Sequence, residues 1–354
     1  MSSAPCPTLF AVDLEVEHVN KQNLVWSAGM AIAWKELMSL AGGPIVLAGA
    51  DDIAASVVRA LNGSPVDRSI VDEACCVARA GFQTADFLRE VRDEIARKLA
   101  DPSPRLLPST PAPELFMAYA YVQQRMAFEL PLYRTSWPLY FRGGFVESFG
   151  LWWRDPVESA ALVRQLRVHH PCYTEADIER MSDAEYDVMY DEFVVELFTT
   201  RPSDRLIVAM LNRGPTLGAT VARAMSLLDR HPADHPHAQI GTKEKLEVPI
   251  IDLDITRRYD ELFGRSVENP PLRAQQFGEV VEHLRFRLDE GGALLETESL
   301  GRGLCIPPRE LVCHSSFLVM LLRHGARLPM FALWVETDDV LLRTTMPELS
   351  TLRH

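Results

Sequence analysis

The chain has 354 residues, of which 47% are hydrophobic and 24% charged, enough for a sizeable core in one large domain or two. Its formal charge of −13, from 49 acidic against 36 basic side chains, argues against a general nucleic-acid or anionic-membrane binder, which needs concentrated positive surface. No basic region followed by an apolar run opens the sequence, and no stretch of about 18 uncharged apolar residues occurs, so a cytoplasmic chain without a membrane span is expected.

The first 100 residues read as helical, with three helices ahead of any clear strand. "AGMAIAWKELMSLAGG" stops on Gly42 and Gly43, and "DDIAASVVRALNG" stops on Asn62 and Gly63. "TADFLREVRDEIARKLADP" puts Phe87, Leu88, Val91, Ile95 and Leu99 on one stripe, with Thr84 as the N-cap and Pro102 past the end. The Pro/Ser-rich stretch "DPSPRLLPSTPAPE" (101–114) reads as a linker or as a surface loop within one domain.

The middle of the chain reads as antiparallel sheet. "LFMAYAYVQQRMAFELPL" is strand-rich through Phe116, Tyr119, Tyr121 and Val122, and "PLYFRGGFVESFGLWW" is a hairpin about Gly143 and Gly144. "DEFVVELFTTRPSDRLIVAMLNRGP" is strand, Pro-containing turn at Arg201 to Asp204, and strand again. "TLGATVARAMSLL" (216–228) is a helical stripe, and "EKLEVPIIDLDITRRYDELFG" joins an alternating strand to a short helix closing on Gly264. "FGEVVEHLRFRLDE" turns into a strand, while "SSFLVMLLRHG" and "LPMFALWVE" form two closing strands joined at Gly325 to Leu328. More than 20 residues separate the strand at 284–288 from the next at 310, against ~4–6 in an ordinary connection.

Sharp catalytic signatures are absent: no Walker-type loop, GxSxG elbow, HExxH or CxxC pair occurs. "DRHPADHPHAQ" carries His231, His235 and His237 with Asp229 and Asp234, residue types that can ligate a divalent metal, but its Pro-rich context reads as a solvated loop. His169 and His170 read as a polar surface pair, and the acidic run "YTEADIERMSDAEYDVMYDE" (173–192) as solvated helix faces. Six cysteines (Cys6, Cys75, Cys76, Cys172, Cys305, Cys313) lack metal-ligand spacing and read as reduced thiols, with Cys75 and Cys76 as buried filler.

Several phrases, in the right order from about residue 20 to 335, resemble the serpin family. "NLVWSAGMAIAWKELMSLAGG" is similar to its second helix, with Asn23 and Ser27 in place and Ala28 and Met30 where a Pro and a second Ser stand. "FMAYAYVQQRMAFELPLYRTSWPLYFRGGFVESF" resembles the family's central strand and its punctuation, through Pro131, Thr135 and Pro138, with Leu132 and Leu139 replacing aromatics. "VVELFTTRPSDRLIVAMLNRGPTLGATVARAM" resembles the mid-sequence strand, turn, strand and helix. "EVPIIDLDITRRYDELFG" matches at Pro249, Tyr259, Asp260 and Gly264. "FRLDEGGALLETES" resembles the hinge of the reactive loop, and "IPPRELVCHSSFLV" the segment that ends that loop.

The resemblance implies an α+β fold for residues 1–354 as a single domain, with about three mostly antiparallel or mixed β-sheets surrounded by eight or nine helices. It places a helical part at about 1–100, a sheet-rich part at about 114–345 and an exposed reactive-type loop at about 291–308. It implies no enzyme, cofactor or metal, but a serine- or cysteine-protease inhibitor whose loop is cut and then inserted as a strand. The alternative is a non-inhibitory binding protein on the same scaffold. The implied hinge is Glu290, Gly291, Gly292, Ala293, Leu294 and Leu295; the implied scissile region is Leu304, Cys305 and Ile306; Asn23 and Ser27 are implied to control strand separation.

Because strand side chains alternate faces, insertion has two registers. With Gly291 as the hinge glycine, Gly292, Leu294, Glu296 and Glu298 turn inward, and two unpaired carboxylates resist burial. With Gly292 in that place, Ala293, Leu295, Thr297 and Ser299 turn inward. In either register bulky leucines replace small residues, and Gly301 and Gly303 weaken strand propensity.

Overall fold

The computed structural model describes residues 8–100, 102–152, 161–173, 180–182, 191–232, 235, 237–241, 244–273, 275–291 and 309–344. Strand begins earlier than the helical reading of the first 100 residues allows. β1 (Thr8–Phe10) and β2 (Asn23–Ser27) pair in parallel, and β3 (Cys76–Gln83) also precedes the third helix. A short apolar run such as Leu24-Val25-Trp26 has no periodicity to separate helix from strand. Pairing with a distant strand decides, and the segment beginning at Asn23 is strand first, becoming helix only from Gly29.

The helices follow their local signals. α1 (Gly29–Ala41) ends on Gly42 at φ +76°, a left-handed stop suited to glycine. α2 (Asp52–Gly63) is capped by the Asp51 carboxylate, and α3 (Ala85–Lys98) by Thr84, whose hydroxyl accepts the Phe87 N–H. α4 (Leu217–Leu227) is capped by Thr216 in the same way. These four α-helices and five 3-10 turns are delimited among the described residues, fewer than the eight or nine helices expected. Among the described residues no helix is long and apolar enough to cross a membrane.

A seven-stranded mixed sheet has the order β1-β2-β17-β16-β11-β10-β9. It contains β9 (Leu166–His170), β10 (Phe193–Leu197), β11 (Asp204–Met210), β16 (Phe317–Arg323) and β17 (Phe331–Val335). β10, β11 and β17 are buried along their whole lengths, as expected for strands covered on both faces. A four-stranded sheet orders β15 (Glu310–Val312), β12 (Lys245–Pro249), β8 (Ser148–Leu151) and β5 (Tyr133–Arg134). The expected hairpin about Gly143 and Gly144 is present as β6 (Leu139–Phe141) and β7 (Gly144–Val146).

Two further two-stranded pairs flank α1. β3 pairs antiparallel with β4 (Ala112–Val122), and β13 (Ile251–Arg258) pairs antiparallel with β14 (Val281–Leu288). The β3–β4 pair lies between two helices, which its alternation explains. Cys76 and Ala78 join the core that includes Ala31 and Ile32 of α1, while Val77 and Tyr119 pack with Val91 and Ile95 of α3. The Pro/Ser stretch between α3 and β4 is tied to the body. Arg92 donates to the carbonyls of Pro108 and Ser109, and Arg105 reaches Asp254 of β13.

Candidate functional site

β4 packs along α1, β14 touches the first turn of that helix, and no ladder joins the two strands. Phe116 and Ala118 of β4 pack against the cluster containing Met30 and Trp34 of α1, and the Met30 N–H donates to Glu282 of β14. β4 meets the segment before β14 at one end, and the segment around β5 meets a residue just after β14 at the other. Phe116 meets Phe277, just before β14, with ring centroids 5.3 Å apart. At the other end Leu132 N–H donates to the carbonyl of Glu290 at 3.0 Å, and Arg134 pairs with the Glu290 carboxylate at 3.4 Å. Between these ends, among the described residues, each strand has a single hydrogen-bonded neighbour, β3 for β4 and β13 for β14. Each therefore has one edge of main-chain donors and acceptors that no ladder partner covers among the described residues.

Glu290 and Gly291, the first of the residues expected as a hinge, follow directly on β14. Asp289 accepts the Gly291 N–H through its carboxylate, and Gly291 takes φ +71°, so the extended run of β14 closes in a turn that favours glycine. A Cβ on Gly291 would stand 3.1 Å from the Phe128 ring. Of the remaining loop candidates, Gly292, Ala293, Leu294, Leu295, Leu304, Cys305 and Ile306 lie outside the described residues, as does most of the acidic run at 173–192. The chain is described again from Arg309, which is buried and donates to Glu244 and to the carbonyls of Pro171, His237 and Gln239. It then forms β15, parallel to β12.

The two residues expected to control strand separation sit at opposite ends of β2, and one of them reaches β14. Asn23 is fully buried and ties strand ends together: its amide donates to Thr8 and Thr337 hydroxyls, and its oxygen accepts the N–H groups of Glu336 and Thr337. Ser27 instead donates to Glu282 Oε1 at 2.5 Å.

Glu282 is the buried acid that the linear pattern conceals. It accepts from Ser27, from the Met30 N–H and from the Tyr259 hydroxyl at 3.0 Å. Burial disfavours its charged form and outweighs these hydrogen bonds and nearby Arg257, so its pKa is raised to about 7. The signal that could have found it is the period of two in β14. Glu282 shares a face with Leu284, Phe286 and Leu288, and that face turns inward.

A second polar cluster corrects the reading of His169 as a surface residue. His169 is buried in β9; its Nδ1 accepts the Asp229 N–H and its Nε2 donates to Glu196 at 2.9 Å. Arg205 forms two hydrogen bonds to Glu196 and reaches Asp229, which also pairs with Arg167. Burial opposes the charge on Glu196, but the hydrogen bonds from His169 and Arg205 prevail and lower its pKa. Pairing of β9 with β10 places these side chains together at the sheet edge. The rings of His231, His235 and His237 lie 4.9 and 5.9 Å apart in sequence, and among the described residues no three His, Cys, Asp or Glu side chains are grouped to hold a metal.

No family model matches the sequence, and no curated protein matches it. Solved structures similar to this chain include serpins, the family its sequence resembles. Serine protease inhibitor (serpin)-12 of Manduca sexta is 14% identical over 91% of this chain and 94% of that one, with a TM-score of 0.48. Mouse protein-Z dependent protease inhibitor is 12% identical over 90% and 91%, with a TM-score of 0.47. The thermophilic serpin tengpin in its native state is 10% identical over 90% of each chain, with a TM-score of 0.46.

Proposed function

We propose that this chain is a serpin-like, non-catalytic protein whose 291–308 loop is bait for a serine or cysteine protease, and that the cut loop adds as a strand at the seam between β4 and β14. The observation that supports this reading is a pair of strands, β4 along α1 and β14 at its first turn, each with an edge lacking a second ladder partner among the described residues, with Gly291 at the end of β14. An added strand would satisfy both edges and bury its inward side chains over α1. The scissile region under this reading is Leu304, Cys305 and Ile306, with Glu290 to Leu295 as the hinge.

A second reading, a non-inhibitory binding protein on the same scaffold, is favoured by the loop's composition. Leu294 and Leu295 are bulky, and one register buries Glu296 and Glu298. The discriminating experiment is limited proteolysis with the nick mapped by mass spectrometry, followed by a thermal melt. A midpoint that rises well above that of the intact chain after cleavage between Gly292 and Ile306 supports insertion, and a detergent-stable complex with the cutting protease supports inhibition. An unchanged or lower midpoint overturns insertion and leaves the binding reading.

A further inference from the structure

The segment between α1 and α2 borders a surface cleft of about 510 Å³, within the range of about 300–1,000 Å³ common for small-ligand sites. One wall is a face of α2: Ala55, Val58, Arg59 and Asn62 fall at the i, i+3, i+4 and i+7 spacing that puts side chains on one side of a helix. Ile45, Leu47 and Ala50 supply the other wall. Ile45 and Val58 are buried, and Leu47 and Ala50 pack against the same apolar cluster.

The second wall is fastened by hydrogen bonds to neighbouring elements. Val46 N–H donates to Asn269 Oδ1 at 2.8 Å, Ala48 N–H donates to the Ser266 carbonyl at 2.9 Å, and the Val46 carbonyl accepts the Glu268 N–H at 2.9 Å. Asn62 ties the two walls together, donating to the Ile45 carbonyl at 2.9 Å and accepting the Ile45 N–H at 3.1 Å. A wall held in this way loses little freedom when a ligand enters, which favours affinity.

Two of the side chains lining the cleft are polar, and both have only donors left to offer. Asn62 Oδ1 accepts from Ile45 and from the Trp34 indole at 2.9 Å, so what remains is one amide hydrogen. Arg59 is exposed, has five N–H groups and no acceptor, and pairs with no acid among the described residues. Asp51, at the start of the same helix, instead accepts the Ala54 N–H and pairs with Arg265. An apolar cleft whose free polar side chains are donors, one of them a guanidinium, matches a molecule with an apolar body and an anionic end. We propose that this cleft binds a small hydrophobic carboxylate, with the carboxylate on Arg59 and the apolar body between α2 and residues 45–50. Arg59 lies toward the C-terminal end of α2, where the helix dipole is negative, so the anion depends on the guanidinium for its charge complement. None of these residues belongs to the strand edges or to the 291–308 loop, and the site stands whatever the loop does.

The test is isothermal titration calorimetry of the full chain with naphthaleneacetate and with its uncharged counterpart, naphthaleneacetamide. Naphthaleneacetate is expected to saturate one site and to bind at least about tenfold tighter than the amide. Arg59→Met, at an exposed position, is expected to bring the acid down to the affinity of the amide and to leave the amide unchanged. Ala55→Phe places a ring in the cleft and is expected to abolish binding of both. Absence of saturable naphthaleneacetate binding, equal affinity for acid and amide, or an acid affinity unmoved by Arg59→Met overturns the proposal, as does binding retained in Ala55→Phe. If Ala55→Phe does not fold, the acid and amide titrations of the native chain and of Arg59→Met decide.

Discussion

Glu282 makes stability depend on pH. Its pKa is raised from 4.5 to about 7, so the folded state holds the proton more tightly than the unfolded chain does. The stabilising contribution is fully present below about pH 4.5 and is lost as pH rises through about 7, amounting to about 3 kcal/mol. Denaturant midpoints at about pH 5 and about pH 8 should differ in that sense, and by less in Glu282→Gln. The His169 cluster makes a different demand. Arg205→Met leaves the Glu196 carboxylate buried without its guanidinium and should cost about 3–5 kcal/mol, part of which returns when Glu196 is also made Met. A denaturation series on the two single variants and the double variant measures this. The period of two in β14 marks Glu282 as inward-facing, but Glu196 lies in a strand buried on both faces, where alternation carries no such mark.

Elements whose signals are local behave as read. Thr84 caps its helix, the stripe at 216–228 is helical over Leu217–Leu227, the Pro-containing turn at Arg201 to Asp204 joins β10 to β11, and Gly325 takes φ +77° between β16 and β17. Elements defined by pairing do not. β2 and β3 were hidden because a strand of five or eight residues carries little periodicity, and β3 also contains Ala and Gly, which strands disfavour. Gly150 shows the same dependence on a neighbour. A Cβ there would lie 2.0 Å from the carbonyl oxygen of Leu246 in β12, so Gly150→Ala should cost more than about 2 kcal/mol by forcing β8 and β12 apart. Thr216→Ala should cost about 1 kcal/mol, the loss of one cap, and thermal unfolding of the two variants should keep this order.

Across the molecule, the long connection after β14 and the strand edges beside it make one testable pair. If Gly292 acts as the hinge glycine, Thr297 turns inward on insertion, and Thr297→Arg should abolish any stabilisation that follows cleavage while Glu296→Arg should leave it. If Gly291 acts so, the effects exchange, because a slip of one residue swaps the faces. Melting the nicked variants distinguishes the two registers. The helices, the hairpins and the unusual length of the connection between Leu288 and Glu310 were legible in the chain, because caps, turns and periodicity act over a few residues. The unpaired strand edges and the buried Glu282 cluster were not: Ser27 and Glu282 are separated by 255 positions, Asn23 and Thr337 by 314, and contacts over such distances depend on which strands the folded core brings side by side.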